Sequence, residues 1–126
     1  MSGMTDIAGL FKNARDVEYR PKGDVVFEEG EPATAMYIVR RGQVTIRLGN
    51  LTLETVGEGG FLGEMALIED RTRSATAVVT EDCELVPIDE RRFLFLVGET
   101  PFFALAVMRT MARRLRAMNE RTDRSA

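Results

Sequence analysis

The sequence GGFLGEMALIEDRTRSATA at residues 59–77 decides how the rest of the chain is interpreted. It joins a cluster of glycines to a short apolar run, and it ends with two arginines before a segment suited to a strand. The glycines mark a turn, because glycine adopts backbone conformations that other residues avoid. Short strand-like segments with turn residues between them lie on both sides, and that pattern favours a closed or sandwiched antiparallel sheet.

The strand-like segments are recognised by alternation and by the turns that bound them. Val44, Ile46 and Leu48 alternate with polar residues, which is typical of a strand with one buried face. Gly49-Asn50 follows and predicts a two-residue hairpin. The expected strands are residues 25–27, 36–39, 44–48, 51–55, 74–79 and 84–88.

Helices are predicted at both ends of the chain. Residues 5–14 are expected to form a short amphipathic helix. Asp89 is expected to cap a second helix that stops at Gly98. Thr100-Pro101 then begins the last helix, since proline is tolerated in a first helical turn.

The last helix carries an apolar stripe with spacings of three, four and three residues. Such a stripe is typical of an amphipathic helix, and we expect it to pack on the strands or on a second subunit. Its members are Met108, Met111, Leu115 and Met118.

The chain resembles the cyclic nucleotide-binding domain family, which includes the catabolite activator protein, protein kinase A regulatory subunits and cyclic nucleotide-gated channels. Residues 59–77 are similar to that family's phosphate-binding cassette, through Phe61, the run 63–68 and the segment 73–76. The resemblance extends from the turn at 22–24 to the two closing helices. It implies a mainly β fold, a β-barrel of the jelly-roll type with an N-terminal helix and C-terminal lid helices.

We expect one domain over residues 1–126, because this length suits a single core. The barrel is expected at about 15–88 and the C-terminal helices at 89–122.

The resemblance also implies which residues bind the ligand. Gly63 lets the backbone approach it, and the N–H groups of Glu64, Met65 and Ala66 point at the cyclic phosphate. Arg73 neutralises the phosphate and donates two hydrogen bonds at once. In the family the glutamate holds the ribose 2′-hydroxyl, so Glu64 is expected to select ribose over deoxyribose.

Two further contacts concern the base. Ser74 is expected to donate to the phosphate or to the purine edge. Relatives selective for cGMP often have threonine at this place, so cAMP is expected to bind more tightly than cGMP. Arg114 is expected to stack over the purine as in channel-type members, and its neighbour Arg113 is the alternative.

Other interpretations of these residues stay open at this point. Glu64 and Arg73, taken singly, also fit an ordinary ion pair. If Arg73 instead faces an anion site, its removal should hardly change the stability of the ligand-free protein. Thr72 stands where proline is common in the family, so the loop at 69–72 is expected to be less rigid. Residues 33–35 replace a Gly-Asp that is frequent in the family, and neither departure removes a ligand contact.

Composition argues against catalysis. The chain has no histidine, the usual general base and the commonest metal ligand, so we predict no enzyme, no catalytic residue, no metal and no cofactor. Cys83 is the single cysteine and is interpreted as a small buried apolar residue. With no disulfide to form, a reducing cytoplasmic location is expected.

Charge bears on the partners. The net charge is −3, which argues against general binding of nucleic acid. The partners we expect are a cyclic nucleotide and an unidentified effector protein. We expect this chain alone to bind no membrane and no nucleic acid, and to be a monomer or a dimer. The alternatives are the regulatory domain of a longer transcription regulator or channel, and a ligand-free barrel used for protein contacts.

Overall fold

The computed structural model describes the backbone of residues 7–125 and the side chains of residues 9–121. The helices are α1 (Ile7–Leu10), α2 (Glu64–Glu69), α3 (Glu90–Glu99) and α4 (Pro101–Ser125). The strands are β1 (Glu18–Arg20), β2 (Val25–Phe27), β3 (Ala35–Leu48), β4 (Leu51–Val56), β5 (Phe61–Leu62) and β6 (Thr76–Asp89). Strands with helices at both ends confirm the predicted mainly β fold.

The strands form one antiparallel sheet in the order β1-β6-β3-β4, with β2 also paired to β6 and β5 also paired to β3. The long pair β3 and β6 runs from Ala35 opposite Asp89 to Arg47 opposite Thr76. Register shifts along this pair increase the local twist, so the sheet curves around its own side chains.

Two predicted strand breaks are wrong. Residues 36–39 and 44–48 belong to one strand, β3, and residues 80–83 continue β6 between its two predicted halves. The turn signal at Gly42 is a bulge within β3, with φ of 95° and register shifts on both sides. A Cβ at Gly42 would collide with the carbonyl of Asp82 on β6, so the close approach of the two strands requires glycine.

The turn between β3 and β4 is the predicted one. Leu48 pairs with Leu51, which leaves Gly49-Asn50 as the two-residue loop, and Gly49 has a φ of 61°. This hairpin confirms the expectation, and it holds β4 beside the end of β3.

The helix boundaries follow the sequence signals with small differences. Asp89 caps α3, since its Oδ1 accepts from the N–H of Arg92 at 2.8 Å, but α3 ends at Glu99 rather than at Gly98. The first helix is shorter than predicted in the described residues: it ends at Leu10, and Ala14 donates only to the carbonyl of Phe11 in a following turn. Residues 5 and 6 lie outside the described residues.

Two apolar clusters form the core. One lies inside the curved sheet and includes Val39, Val44 and Leu85, with the buried Cys83 at its edge, as predicted for that thiol. The other lies between the sheet and the helices and includes Phe103. Phe103 is fully buried, and burying such a side chain contributes about 1.5–3 kcal/mol to stability. The first turns of α4 are therefore anchored to the sheet.

Most of the Met108–Met118 stripe does not pack on the sheet, which corrects one of the two predicted alternatives. Met111 packs at the edge of the helix-side cluster, but Met108, Leu115 and Met118 are 58%, 46% and 49% exposed. The face of α4 that meets the sheet instead carries Phe103, Val107, Thr110 and Arg114. Two of these four residues are polar, so a search for apolar periodicity alone selects the more exposed side of α4. Packing on a second subunit stays a prediction.

No single helix in the described part of the chain is long and apolar enough to cross a membrane. The pair α3 and α4, bent by 116° relative to each other, passes that test only when both are taken together, by length and composition.

Candidate functional site

A pocket lies where α2, the segment just before β6 and the middle of α4 meet β4. It contains every residue that the sequence predicted for the site. These are Gly63, Glu64, Met65, Ala66, Arg73, Ser74 and Arg114. Sequence spacing alone could not bring Arg114 to the other six, because it lies 50 residues beyond Glu64.

Gly63 begins the pocket by turning the chain from β5 into α2. It has φ of 81° and ψ of 7°, a left-handed conformation that glycine adopts without a Cβ penalty. A Cβ there would lie 2.5 Å from Nη1 of Arg73 and 3.2 Å from the ring of Phe27. The structure thus adds a reason for this glycine: it makes room for the arginine.

Arg73 is buried against this turn, with 4% of its surface exposed. Its Nη1 donates to the carbonyl of Gly63 at 2.9 Å, and its Nη2 donates to the carbonyl of Ala35. The guanidinium carbon lies 4.1 Å from the centre of the Phe27 ring, within cation–π range. Nε has no hydrogen-bond partner among the described residues. Arg73 is therefore fixed in place by neutral groups.

Burial lowers the pKa of the Arg73 guanidinium from its ordinary value, although Tyr37, Glu31 and Glu64 act in the opposite direction. A buried cation without a bonded carboxylate is costly, because its lost hydration is only partly replaced. An anion bound in the pocket would offset that cost, so the site is electrostatically suited to a small anionic ligand.

Glu64 opens α2 and is 1% exposed. The structure pairs it with Arg114 rather than with Arg73: Nη1 of Arg114 donates to its Oε1 at 2.5 Å. The ordinary ion pair considered from the sequence is thus replaced by a pair that joins α2 to α4. A buried carboxylate with this single charge-assisted bond keeps further acceptor capacity, since an ionised carboxylate can accept about four hydrogen bonds.

Arg114 lies between three acceptors. Besides Glu64, it donates through Nε to Oε1 of Glu54 at 2.8 Å, and through Nη2 to the carbonyl of Phe61 at 2.6 Å. Burial by itself lowers the pKa of Arg114, but the hydrogen bonds and charges of Glu54 and Glu64 outweigh it and raise that pKa. Arg114 is thus bound to the wall of the pocket, and its predicted stacking over a base stays a prediction.

Several wall residues were not predicted from the sequence. The acidic one is Glu54 on β4, and the basic one is Arg121, whose Nη2 donates to the carbonyl of Leu53 at 2.9 Å. The apolar ones are Phe27, Ile46, Leu53, Ala75, Ala117 and Met118. Positions 117, 118 and 121 follow Arg114 by three, four and seven residues, so helical spacing would have found them once Arg114 was chosen. No such signal marks Glu54.

The loop after α2 is tied to the turn before β3. Arg73 and Glu31 share a backbone hydrogen bond of 2.8 Å, and Thr72 bridges to Pro32. In the part of the chain that is described, no cluster of three or more acidic, histidine or cysteine side chains could hold a metal ion.

Comparison with known proteins agrees with this geometry. A family model described as the cyclic nucleotide-binding domain matches residues 17–100. The cyclic AMP receptor protein of Thermus thermophilus is 34% identical over 108 residues, which are 82% of this chain and 50% of that protein. A putative potassium channel protein of Rhodopseudomonas palustris is 36% identical over 104 residues, which are 79% of this chain and 24% of that protein.

The crystal structure of the Thermus thermophilus catabolite activator protein superposes with a TM-score of 0.77 at 31% identity. The match covers 98% of this chain and 59% of the other. The chain thus spans about half the length of the first of these curated relatives and a quarter of the second. With two thirds of its length matched by the family model, the chain belongs to the cyclic nucleotide-binding domain family.

Proposed function

We propose that this chain is a receptor for a cyclic nucleoside monophosphate, that it prefers cAMP to cGMP, and that it catalyses no reaction. The observation that carries the proposal is the buried pair of opposite charges in one pocket. Glu64 and Arg73 are 1% and 4% exposed, and each is held by other groups rather than by the other. The pocket therefore offers one fixed acceptor and one fixed cation.

The cation end suits the cyclic phosphate. Arg73 supplies a full positive charge beside Gly63, and the N–H groups of Glu64, Met65 and Ala66 open a helix that lines the same pocket. Unpaired N–H groups of a first helical turn favour a negative charge. A cyclic phosphate is a monoanion that has to leave bulk water, so both features lower the cost of its burial.

The acceptor end suits the ribose. Glu64 is fixed by Arg114 and retains lone pairs for a donor such as the 2′-hydroxyl. A site that binds a hydroxyl strongly rejects an analogue without it, because the buried acceptor is then left unpaired. This asymmetry gives the proposal a sharp test.

The base is proposed to lie along the apolar wall formed by Ile46, Leu53 and Met118, with the exposed Ser74 near its edge. An apolar wall accommodates either purine, so the preference for cAMP rests on Ser74 occupying the position where threonine is common in cGMP-selective relatives. Arg114 or the unpredicted Arg121 supplies the cation over the base.

The signal is proposed to leave through α4. Arg114 joins the ribose acceptor to this helix, so a ligand that changes the Glu64 contact also changes the preferred position of α4. The receiver is proposed to be an effector protein, in the cytoplasm, where the thiol of Cys83 stays reduced.

The test uses the acceptor. Glu64→Gln keeps the shape but weakens the acceptor, and hydrogen bonds to charged groups contribute about 1.5–3 kcal/mol, or roughly 10- to 150-fold in affinity. Calorimetric titration should show this loss for cAMP and a much smaller one for 2′-deoxy-cAMP. Glu69→Gln, at the exposed far end of the same helix, is the control and should change neither. Equal losses for both nucleotides would show that Glu64 does not recognise the sugar, and tighter binding of cGMP would reject the preference for cAMP.

A further inference from the structure

Glu54 is an acidic residue in the wall of an anion-binding pocket. It lies on β4, and its side chain is 35% exposed. Its Oε1 accepts from Nε of Arg114 at 2.8 Å and its Oε2 accepts from Nη2 at 3.2 Å. Both carboxylate oxygens are thus engaged along one edge of the same guanidinium. The negative charge of Glu54 repels an anionic ligand. Charge alone therefore does not explain why an acidic residue lies in this wall.

The contact of Glu54 with the Nε and Nη2 edge of Arg114 restricts the direction of the third guanidinium nitrogen, Nη1. A guanidinium is planar, so a carboxylate that engages Nε and Nη2 together fixes the plane and leaves the two N–H groups of Nη1 only directions within that plane. Along one of them Nη1 donates to Oε1 of Glu64 at 2.5 Å. The carbonyl of Phe61 receives the second bond of Nη2, at 2.6 Å.

Without this contact Arg114 would keep only its bonds to Glu64 and to the carbonyl of Phe61, and its Nε edge would be unrestrained. An arginine side chain loses up to about 2 kcal/mol of rotamer entropy when it is held in one geometry. Phe103 and Val107 anchor the early turns of α4, but Arg114 reaches the pocket from further along the helix. Glu54 supplies a second fixed point from the sheet side.

We propose that Glu54 is a positioning residue: by holding the Nε edge of Arg114, it orients Glu64 as the acceptor for the ribose 2′-hydroxyl. This inference rests on the proposed function. It assigns to β4 a part in sugar recognition that is indirect, since Glu54 acts through Arg114 and Glu64 rather than by touching the sugar.

A positioning role and a purely electrostatic role predict opposite changes in the affinity for cAMP when Glu54 is replaced. If Glu54 acted only through its charge, removing that charge would relieve repulsion of an anionic ligand and strengthen binding of every cyclic nucleotide alike. If Glu54 positions Glu64, its removal weakens binding of cAMP and leaves 2′-deoxy-cAMP nearly unchanged, because that analogue has no hydroxyl for Glu64 to accept from.

The experiment compares two variants with a matched control by calorimetry with both nucleotides. Glu54→Gln removes the charge and places an NH₂ group against a donor of Arg114. Glu54→Asp keeps the charge but shortens the reach to Arg114. Glu58→Gln, in the exposed turn after β4, removes an equal charge away from the contact. Thermal melts of all variants establish that each is folded.

Both Glu54 variants should weaken cAMP binding about 3- to 10-fold, a modest loss because Glu54 is partly exposed to solvent, and should change 2′-deoxy-cAMP binding less than about twofold. Glu58→Gln should leave both affinities unchanged. Combining Glu54→Gln with Glu64→Gln should add almost nothing to the loss from Glu64→Gln alone, because the two residues act in one chain of contacts.

An equal change for both nucleotides, a gain for both, or full additivity in the double variant would overturn the positioning role. These outcomes differ from failure of the proposed function, which would appear as wild-type protein that binds neither nucleotide. Wild-type binding with an unaffected Glu54→Gln variant would reject the positioning role alone.

Discussion

Replacing Arg73 with alanine should remove most of the affinity for cAMP. Arg73 is the buried cation of the pocket, 4% exposed, and it is held by two carbonyls and the Phe27 ring. Removing one partner of a buried charge pair typically costs about 2–5 kcal/mol, which is roughly 30-fold to several thousand-fold in affinity. Arg73→Lys should recover only part of this, since lysine keeps the charge but not the paired donors.

The stability of the ligand-free protein should fall as well, contrary to the expectation drawn from the sequence. Arg73→Ala removes two hydrogen bonds from a charged donor, removes the cation–π contact with Phe27 and leaves a cavity. We expect these losses to exceed the relief of the buried charge by about 1–3 kcal/mol. For a domain of this size that loss lowers the melting temperature by roughly 3–15 °C.

Thermal melts with and without cAMP, supported by calorimetry, measure both effects. Arg71→Ala is the matched control, because Arg71 is exposed on the same loop, and it should retain the wild-type shift from cAMP. An Arg73→Ala protein that melts lower but still gains the full shift from cAMP would refute the phosphate assignment. An unchanged melting temperature without ligand would refute the structural part of the reasoning.

Three other predictions concern two supports of the site, Gly63 and Arg114, and the buried thiol of Cys83. Gly63→Ala should cost more stability than Gly49→Ala. Both glycines have positive φ, but only at Gly63 would a Cβ lie 2.5 Å from Arg73. Equal shifts in denaturant midpoint for the two variants would show that the space for Arg73 is not what requires Gly63. Arg114→Met should destabilise the protein by about 3–5 kcal/mol, because it leaves Glu64 buried without its cation. Adding Glu64→Gln to that variant should restore part of the lost stability. A double variant less stable than Arg114→Met would contradict the pairing of Arg114 with Glu64. Burial raises the pKa of the Cys83 thiol above its ordinary value of 9.0. This group should therefore leave the free energy of unfolding unaffected well below pH 9, and should lower it as the pH rises through 9 and the thiol ionises in the unfolded chain. Cys83→Ala should flatten that decline in urea titrations at increasing pH, and an identical slope in both proteins would show that the thiol does not cause it.

Local signals in the sequence predicted local structure well. The hairpin at Gly49-Asn50 and the cap at Asp89 depend on the conformational preferences of a few adjacent residues, and both were correct. The long strands β3 and β6 were each divided into two, because the bulge at Gly42 resembles a turn in sequence and is distinguished from one only by the partner strand.

The candidate site was predicted as far as its motif extends. The cassette residues around Gly63 and Arg73 lie together in the chain, and the structure places them in one pocket. The links from Arg114 to Glu54 and Glu64 span 60 and 50 residues, so they arise from the packing of α4 on the sheet. The resemblance to channel-type members gave Arg114 as a candidate, but only tertiary structure gives its partners.

The most direct test of the proposed function is to map where cAMP contacts the folded protein. Nuclear magnetic resonance titration of the ¹⁵N-labelled chain with cAMP reports the backbone amides and arginine Nε groups together. We expect saturable changes concentrated at the amides of residues 63–67 and 73–75 and at Nε of Arg73, with smaller changes along α4 near Arg114. Changes confined to the separate pocket lined by Tyr19 and Arg41, or no saturable change at all, would contradict the proposed site.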